Sequence, residues 1–134
     1  EQGDAAAALP LLTALGEGDA MTLHKRAICL EQLGRKDEAL AMLDRAEPLC
    51  AAENCPVEES LAREMLALAR CRLEREDYLH DPGYGERLLA CFRRIRRELP
   101  VGYARFHRPW VLEWYKANRQ YREAVRLFED FPEN

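Results

Sequence analysis

Apolar residues recur every three to four positions along most of the chain, which is the spacing of helices that bury one side. Residues 22–33 carry such a stripe and are followed by Gly34, a residue type that often takes the left-handed conformation that closes a helix. A second stripe covers residues 39–46 and is interrupted by Pro48. Because the connection between the stripes is short, we expect two helices packed antiparallel.

The stretch TLHKRAICLEQLGRKDEALAMLDRA, residues 22–46, combines this hairpin pattern with small residues where the two helices meet. It resembles the tetratricopeptide repeat, a family of stacked helix pairs. The resemblance rests on Ala27, Leu30, Gly34, Ala39, Leu43 and Ala46. Small residues suit this position because larger side chains would push the helix axes apart. The resemblance implies an all-α fold in which antiparallel helix pairs stack into a right-handed superhelix.

Three such pairs plus an N-terminal helix account for the whole chain as a single domain. The predicted segments are 1–18, 20–47, 56–99 with an insertion at 79–85, and 105–131. The first segment looks like the second helix of a truncated preceding repeat, so we expect the chain to be part of a longer protein. The second helices, compared at Ala39, Leu88 and Ala124, are 49 and 36 residues apart, whereas the family's repeat has about 34 residues. The connections are therefore predicted to be longer than usual.

In the tetratricopeptide family, the first helices of successive pairs line a concave groove that holds a peptide or a partner helix. Carrying that groove over by alignment predicts one surface of apolar, aromatic and charged side chains. Its residues are Met21, His24, Ile28, Glu31, Arg63, Leu66, Arg70, Leu73, Phe106, Trp110, Glu113 and Lys116. This mixture suits a peptide with apolar anchors and at least one carboxylate, which an arginine would grip.

Charge is unevenly distributed in this chain of 134 residues, which has 20 Lys and Arg against 24 Asp and Glu and a net charge of −4. Residues 1–83 hold 9 basic and 17 acidic residues, whereas residues 84–126 hold 11 basic and 4 acidic ones. The basic stretch fits either solvated helix faces that pair with acidic residues or a surface for an anionic partner. We do not expect direct nucleic-acid binding, because the chain is acidic overall and has no interleaved aromatic platform.

Residues with catalytic or metal-binding chemistry are few and scattered. The histidines His24, His80 and His107 lie in separate segments, each without a second ligand at metal-binding spacing. Five cysteines form an odd set in which only Cys50 and Cys55 are close in sequence. We interpret them as ordinary reduced thiols, with a zinc site or a redox pair as the alternative. The sequence therefore predicts a non-enzymatic protein that uses no metal and no cofactor.

The sequence also bears on location and partners. Its longest apolar run, residues 5–12, is far shorter than the ~20 residues of a membrane-spanning helix, so we expect a soluble, cytoplasmic protein with no membrane partner. The predicted function is protein or peptide binding within a larger bacterial regulatory protein, such as a transcriptional regulator. The alternative is a scaffolding module that self-associates, for instance as a homodimer, through the open ends of the helical stack.

Overall fold

The computed structural model describes residues 2–16 and 18–130, and these residues are mostly helical and contain no β-strand. The helices are α1 Gln2–Ala14, α2 Ala20–Gln32, α3 Lys36–Ala46, α4 Glu59–Glu74, α5 Pro82–Glu98, α6 Val101–Ala117 and α7 Tyr121–Asp130, with 3-10 turns at Glu47–Ala51 and Tyr78–His80. The predicted all-α fold class is confirmed. The stacking of helix pairs into a superhelix stays a prediction.

The chain divides into two compact units, unit 1 (Glu1–Glu76) and unit 2 (Asp77–Asn134). The boundary falls inside the predicted second pair, residues 56–99, so the two helices of that pair belong to different units. Residues 1, 17 and 131–134 lie outside the described residues. They include both residues 1 and 17 of the predicted segment 1–18 and the last residue of the predicted segment 105–131. None of the described helices combines the length and apolar character needed to cross a lipid bilayer.

Helices α2 and α3 of unit 1 form the hairpin that the sequence predicts. The Asp19 side chain caps α2 by accepting the backbone N–H of Thr22 at 2.9 Å. At the other end Gly34 has a φ of +77°, and the N–H of Arg35 donates to the carbonyl of Leu30 at 2.8 Å. This pair of features is a Schellman motif, which satisfies carbonyls that the last helical turn leaves open. Helix α3 begins directly after it.

The core of unit 1 forms where α2 meets its neighbours α1, α3 and α4. Alanines at the contacts are buried, including Ala27, Ala39, Ala46 and Ala62, and they let the helix axes approach closely. Helix α3 ends where predicted, because Pro48 lies in the 3-10 turn that follows Ala46. Helix α4 packs on this turn as well as on α2 and α3.

Helix α1 packs on α2 and continues through Pro10. Its small residue Ala5 is buried, whereas Leu11 within the helix and Leu15 directly after it are 72% and 70% exposed. The helix therefore covers part of unit 1 while leaving some of its own apolar surface in contact with solvent.

Unit 2 opens with a compact segment where the sequence predicts an insertion at 79–85. The Asp81 side chain caps α5 by accepting the N–H of Gly83 at 2.9 Å, and Pro82 occupies the first helical position, as its residue type favours. The preceding 3-10 turn is tied to α6, because the amide of Asn118 donates to the carbonyl of Leu79 at 3.0 Å. The predicted insertion is thus reduced to a short turn, and its second half belongs to α5.

Helices α5 and α6 approach very closely at Gly85. A Cβ atom at this position would lie 2.0 Å from Cζ2 of Trp114, so only glycine fits. The indole of Trp114 also contacts Tyr84 edge to face, with ring centroids 6.0 Å apart. This aromatic contact and the core residues Leu88 and Ile95 hold α5 against α6.

Helix α6 is longer than predicted and ends like α2. It begins at Val101, not near residue 105, and it includes Pro109 in its interior. At its C-terminus Arg119 has a φ of 60°, and the N–H of Gln120 donates to the carbonyl of Tyr115 at 2.7 Å. Each hydrogen bond of this ending has a counterpart at the end of α2, 85 residues earlier in the sequence. The α2–α3 and α6–α7 hairpins therefore share one turn geometry.

Candidate functional site

Five of the predicted groove residues lie in the core of unit 1. Met21, His24 and Ile28 on α2 and Leu66 and Leu73 on α4 are all buried. The physical reason is that α2 is covered on several sides, by α1, α3 and α4, so little of its circumference meets solvent. The structure therefore places these side chains against neighbouring helices, whereas the sequence predicts that they line an open groove.

The predicted groove residues of unit 1 that carry charge are engaged in ion pairs within the unit. Glu31 accepts two hydrogen bonds, at 3.1 and 3.2 Å, from Arg72, whose side chain is only 3% exposed. Arg63 pairs with Glu47 at 2.8 Å and also with a carboxylate on its own helix. Arg70 on α4 pairs with Asp44 on α3 at 2.7 Å, and also with a glutamate one turn further along α4. The ion pairs of Arg63 and Arg70 are part-exposed, so solvent screens them and each contributes little to the stability of the unit.

The predicted groove residues of unit 2 form an accessible surface, which we call the α6 strip: Phe106, Trp110, Glu113 and Lys116. They are spaced four, three and three residues apart, which places them along one side of α6. Phe106 is 38% exposed, Trp110 is half-buried, and the two charged residues are exposed. Among the described residues, the strip is the part of the predicted groove in which aromatic side chains reach the surface, whereas the part-exposed charged residues of unit 1 are held in ion pairs.

Ring contacts hold the aromatic part of the α6 strip in place. The rings of Phe106 and Trp110 are perpendicular, with centroids 6.0 Å apart, and both contact the buried ring of His107. His107 is fixed through its Nδ1 atom, 2.9 Å from the carbonyl oxygen of Tyr103. Further along, Glu113 accepts a hydrogen bond from the hydroxyl of Tyr78 at 3.1 Å. The strip thus joins an edge-to-face aromatic pair to charged groups.

The arginines of helix α5 differ in whether they form ion pairs with acidic residues. Arg94 makes two hydrogen bonds to Glu98 at 3.0 and 3.1 Å, and Arg97 makes a third contact at 3.2 Å. The Arg94 hydrogen bonds lower the pKa of the Glu98 carboxyl below its usual value, with Arg97 adding to the effect. These residues fit the expected solvated ion pairs. Arg93 differs, since it makes no ion pair or hydrogen bond within the described part of the chain.

A pocket in unit 2 contains Arg93 and was not identified from the sequence. We call it the arginine pocket; its volume is about 220 Å³, and it lies between α5, α6 and α7. Its lining residues are Leu89, Phe92, Arg93, Arg96, Tyr115, Glu123, Arg126 and Leu127. The helical spacing on α5 and on α7 already placed several of these residues on shared faces, but it gave no sign that the two faces meet.

The arginine pocket has an apolar floor and a charged rim. Phe92 and Leu127 are buried, whereas the arginines and Glu123 are exposed. The guanidinium carbon of Arg96 lies 6.0 Å from the centroid of the Phe92 ring, within the range of a cation–π contact. Burial raises the pKa of the Tyr115 hydroxyl, as does the nearby carboxylate of Glu123, while the arginines act in the opposite direction. Tyr115 therefore stays protonated at neutral pH and can donate a hydrogen bond.

The histidines and cysteines form no metal centre in the described residues, where no group of three His, Cys, Asp or Glu side chains could hold an ion. His24 and His107 are buried within their own units, and His80 is exposed in the turn before α5. Burial, reinforced by the neighbouring Cys55, raises the pKa of the Cys50 thiol to about 11. The Cys50 thiol also donates to the carbonyl of Ala46 at 3.7 Å, so it behaves as a buried, unreactive group.

Comparison with known proteins assigns no family to this geometry. No protein-family model matches the chain, and no curated protein and no solved structure matches it significantly.

Proposed function

We propose that the chain is a non-enzymatic, protein-binding helical module whose α6 strip contacts a segment of a partner protein. The observation that carries this proposal is that Phe106 and Trp110 form a solvent-accessible, edge-to-face aromatic pair next to Glu113 and Lys116. Aromatic side chains of this kind are enriched where proteins bind one another, because they bury much apolar area at little cost in side-chain entropy.

The chemistry of the α6 strip defines the partner segment. Its aromatic half favours an apolar side chain, and its charged half offers one carboxylate and one ammonium group for polar contacts at the rim. A short peptide or an amphipathic helix with one or two apolar anchors meets these requirements. An enclosed substrate site with converging catalytic groups is not needed for this role.

The paired hairpins support a repeat architecture as part of the same proposal. The α2–α3 and α6–α7 turns share their hydrogen-bond pattern and the positive φ at Gly34 and Arg119, and buried alanines, Ala39 and Ala124, follow five residues later in each. This regularity fits a tetratricopeptide-like module. Such modules commonly serve within larger proteins, and we extend the proposal to a regulatory protein, including a transcriptional regulator.

Site-specific photo-crosslinking tests the proposed use of the α6 strip. Phe106 is replaced by the photoreactive residue p-benzoylphenylalanine in cells that produce the protein, and Ala90, an exposed residue of α5, serves as the matched control position. We expect a covalent adduct with a partner protein from position 106 but not from position 90. We also expect Trp110→Ala to abolish the adduct while leaving the circular dichroism spectrum unchanged. Adducts that form equally at both positions, or at neither, would contradict the proposal.

Self-association is a second candidate, and exposed apolar residues on the first and last helices favour it. Leu11 on α1, Leu15 just after that helix, and Tyr121 and Val125 on α7 are all more than half exposed. Surfaces of this kind are common where subunits meet. Sedimentation equilibrium across a wide concentration range decides the matter: the scaffold proposal expects dimers that Leu11→Glu disrupts, and a monomer at every concentration would refute it.

A further inference from the structure

We propose that the arginine pocket binds a free apolar α-amino acid of about the size of leucine. This inference is separate from the proposed protein-binding surface. Tyr115, which lines the pocket, lies nine residues after Phe106, and nine residues of α-helix correspond to a rotation of about 900°, so the two side chains leave α6 on opposite sides.

The first argument is that the pocket holds charges of both signs and that three of these charged residues are not paired with each other. Arg93 and Arg126 line it together with Glu123, yet none of these three makes an ion pair or hydrogen bond within the described part of the chain. Opposite charges in one small pocket normally pair, so a ligand that carries both signs gains contacts that the protein does not supply to itself. An α-amino acid has a carboxylate for the arginines and an ammonium group for Glu123.

The second argument is the apolar floor. Leu89, Phe92 and Leu127 lie beneath the charged rim, and Phe92 and Leu127 are already buried. An apolar side chain attached to the charged end of a ligand would pack on this floor, covering the part-exposed Leu89 and removing its own apolar surface from water. Inorganic anions and the phosphates of nucleic acids carry no such group beside the charge.

The third argument is size. An apolar protein cavity of about 150 Å³ accommodates benzene, which has six non-hydrogen atoms. The arginine pocket, at about 220 Å³, is larger than that cavity and is partly open to solvent, so it has room for a ligand of roughly the size of leucine or isoleucine. The pocket is also smaller than the roughly 300–1,000 Å³ of sites that hold drug-sized ligands. A single amino acid therefore fits better than a cofactor or a stretch of peptide.

The hydroxyl of Tyr115 completes the donor set. It lies near both Arg93 and Glu123, and it stays protonated at neutral pH, so it can donate to the ligand carboxylate. Glu123 also lowers the affinity for ligands that carry only negative charge, because its carboxylate repels them. The pocket therefore favours a zwitterion over a simple anion.

Calorimetric titration of the 134-residue chain with L-leucine is the direct test, and NMR shift mapping of labelled protein locates the site. Three related compounds each lack one feature: 4-methylpentanoate lacks the ammonium group, 3-methylbutylamine lacks the carboxylate, and glycine lacks the side chain. We expect leucine to bind with resonance changes on α5 and α7, and each of the three compounds to bind at least about fivefold more weakly.

Charge-neutralising variants test the role of each group. Arg93→Gln and Arg126→Gln are expected to weaken leucine binding about fivefold or more, and Arg122→Gln is the matched control, since Arg122 is an exposed arginine of α7 outside the pocket. Glu123→Gln is expected to weaken leucine binding while strengthening 4-methylpentanoate binding, because the repelling carboxylate is gone.

Several outcomes would overturn the proposal. One is that leucine shows no detectable binding at a concentration of about 10 mM. Another is that leucine and glycine bind with equal affinity. A third is that Arg122→Gln weakens leucine binding as much as Arg93→Gln does. If Glu123→Gln bound leucine with unchanged affinity, the proposed contact between Glu123 and the ligand ammonium group would be refuted, and so would the assignment of the ligand as an amino acid. Because the tests of the α6 strip use Phe106 and Trp110, either proposal can fail without the other.

Discussion

Replacement of Gly85 by alanine is a sharp test of the packing between α5 and α6. The added Cβ would lie 2.0 Å from Cζ2 of Trp114 and 2.4 Å from two further atoms of the same ring. Ordinary contact between carbon atoms requires about 3.5 Å, so the two groups must separate by roughly 1.5 Å. The indole is buried against Tyr84 and has little room to move.

The expected loss of stability follows from two opposing terms. Overpacking a core costs about 1–3 kcal/mol, and the upper end applies because a Cβ cannot rotate away from the ring. Alanine recovers about 1 kcal/mol, since it is a better helix former than glycine. We therefore expect Gly85→Ala to lower the free energy of unfolding by about 2 kcal/mol. Gly102→Ala is the matched control, because nothing lies within 4 Å of a Cβ at that position in α6.

Urea denaturation followed by tryptophan fluorescence measures both variants, because both tryptophans, Trp110 and Trp114, are in unit 2. Gly102→Ala is expected to be neutral or to raise stability by about 0.5 kcal/mol. In a Trp114→Phe background, which lacks the outer ring of the indole, the cost of Gly85→Ala should disappear. The reasoning would be refuted if Gly85→Ala matched Gly102→Ala, or if its cost were the same in both backgrounds.

Three further predictions concern ion pairs and a thiol. Glu31→Ala should lower the stability of unit 1 by about 1.5–3 kcal/mol, because it deprives the buried guanidinium of Arg72 of two hydrogen bonds. Urea denaturation followed by circular dichroism measures this loss. An unchanged denaturation midpoint would show that the pair does not stabilise the fold. Cys50, whose pKa is raised to about 11, should resist iodoacetamide at pH 8.5 until the protein is unfolded, as peptide mass spectrometry would show, and rapid native labelling would contradict its burial. Because Arg94 lowers the folded-state pKa of Glu98, the pair stabilises the fold above the ordinary pKa of 4.5, and this stabilisation is lost as the pH falls through the lower folded-state pKa. The wild-type protein should therefore lose more stability than Glu98→Gln between about pH 7 and pH 3. Equal losses in the two proteins would refute the coupling.

The helices were predictable where local chemistry determines them. Gly34 and Pro48 mark the ends of α2 and α3, and each acts through its own backbone preference. The extra N-terminal length of α6 was not predictable in this way. Pro109 suggests a break or a kink, yet proline can be accommodated inside a helix when the surrounding contacts hold it.

The candidate sites were less predictable than the helices, for a physical reason. Periodicity shows which residues share a face of a helix, but it does not show how many neighbours cover that face. Met21 and Phe106 have equivalent roles in the predicted groove, yet one is covered by other helices and the other is exposed. The arginine pocket needs side chains from three helices to meet, so residues such as Leu89 and Leu127 could be combined only with the structure in hand.

The short turn before α5 determines where the chain can be divided for expression of separate parts. A fragment that starts at Asp77 keeps the hydroxyl of Tyr78 on Glu113 and the carbonyl of Leu79 on Asn118. A fragment that starts at Pro82 loses both contacts together with the cap of α5, and it strips the indole-facing aromatic cluster of one of its rings. Five residues at a cloning boundary thus determine whether the C-terminal half is produced with the contacts that join its first turn to α5 and α6.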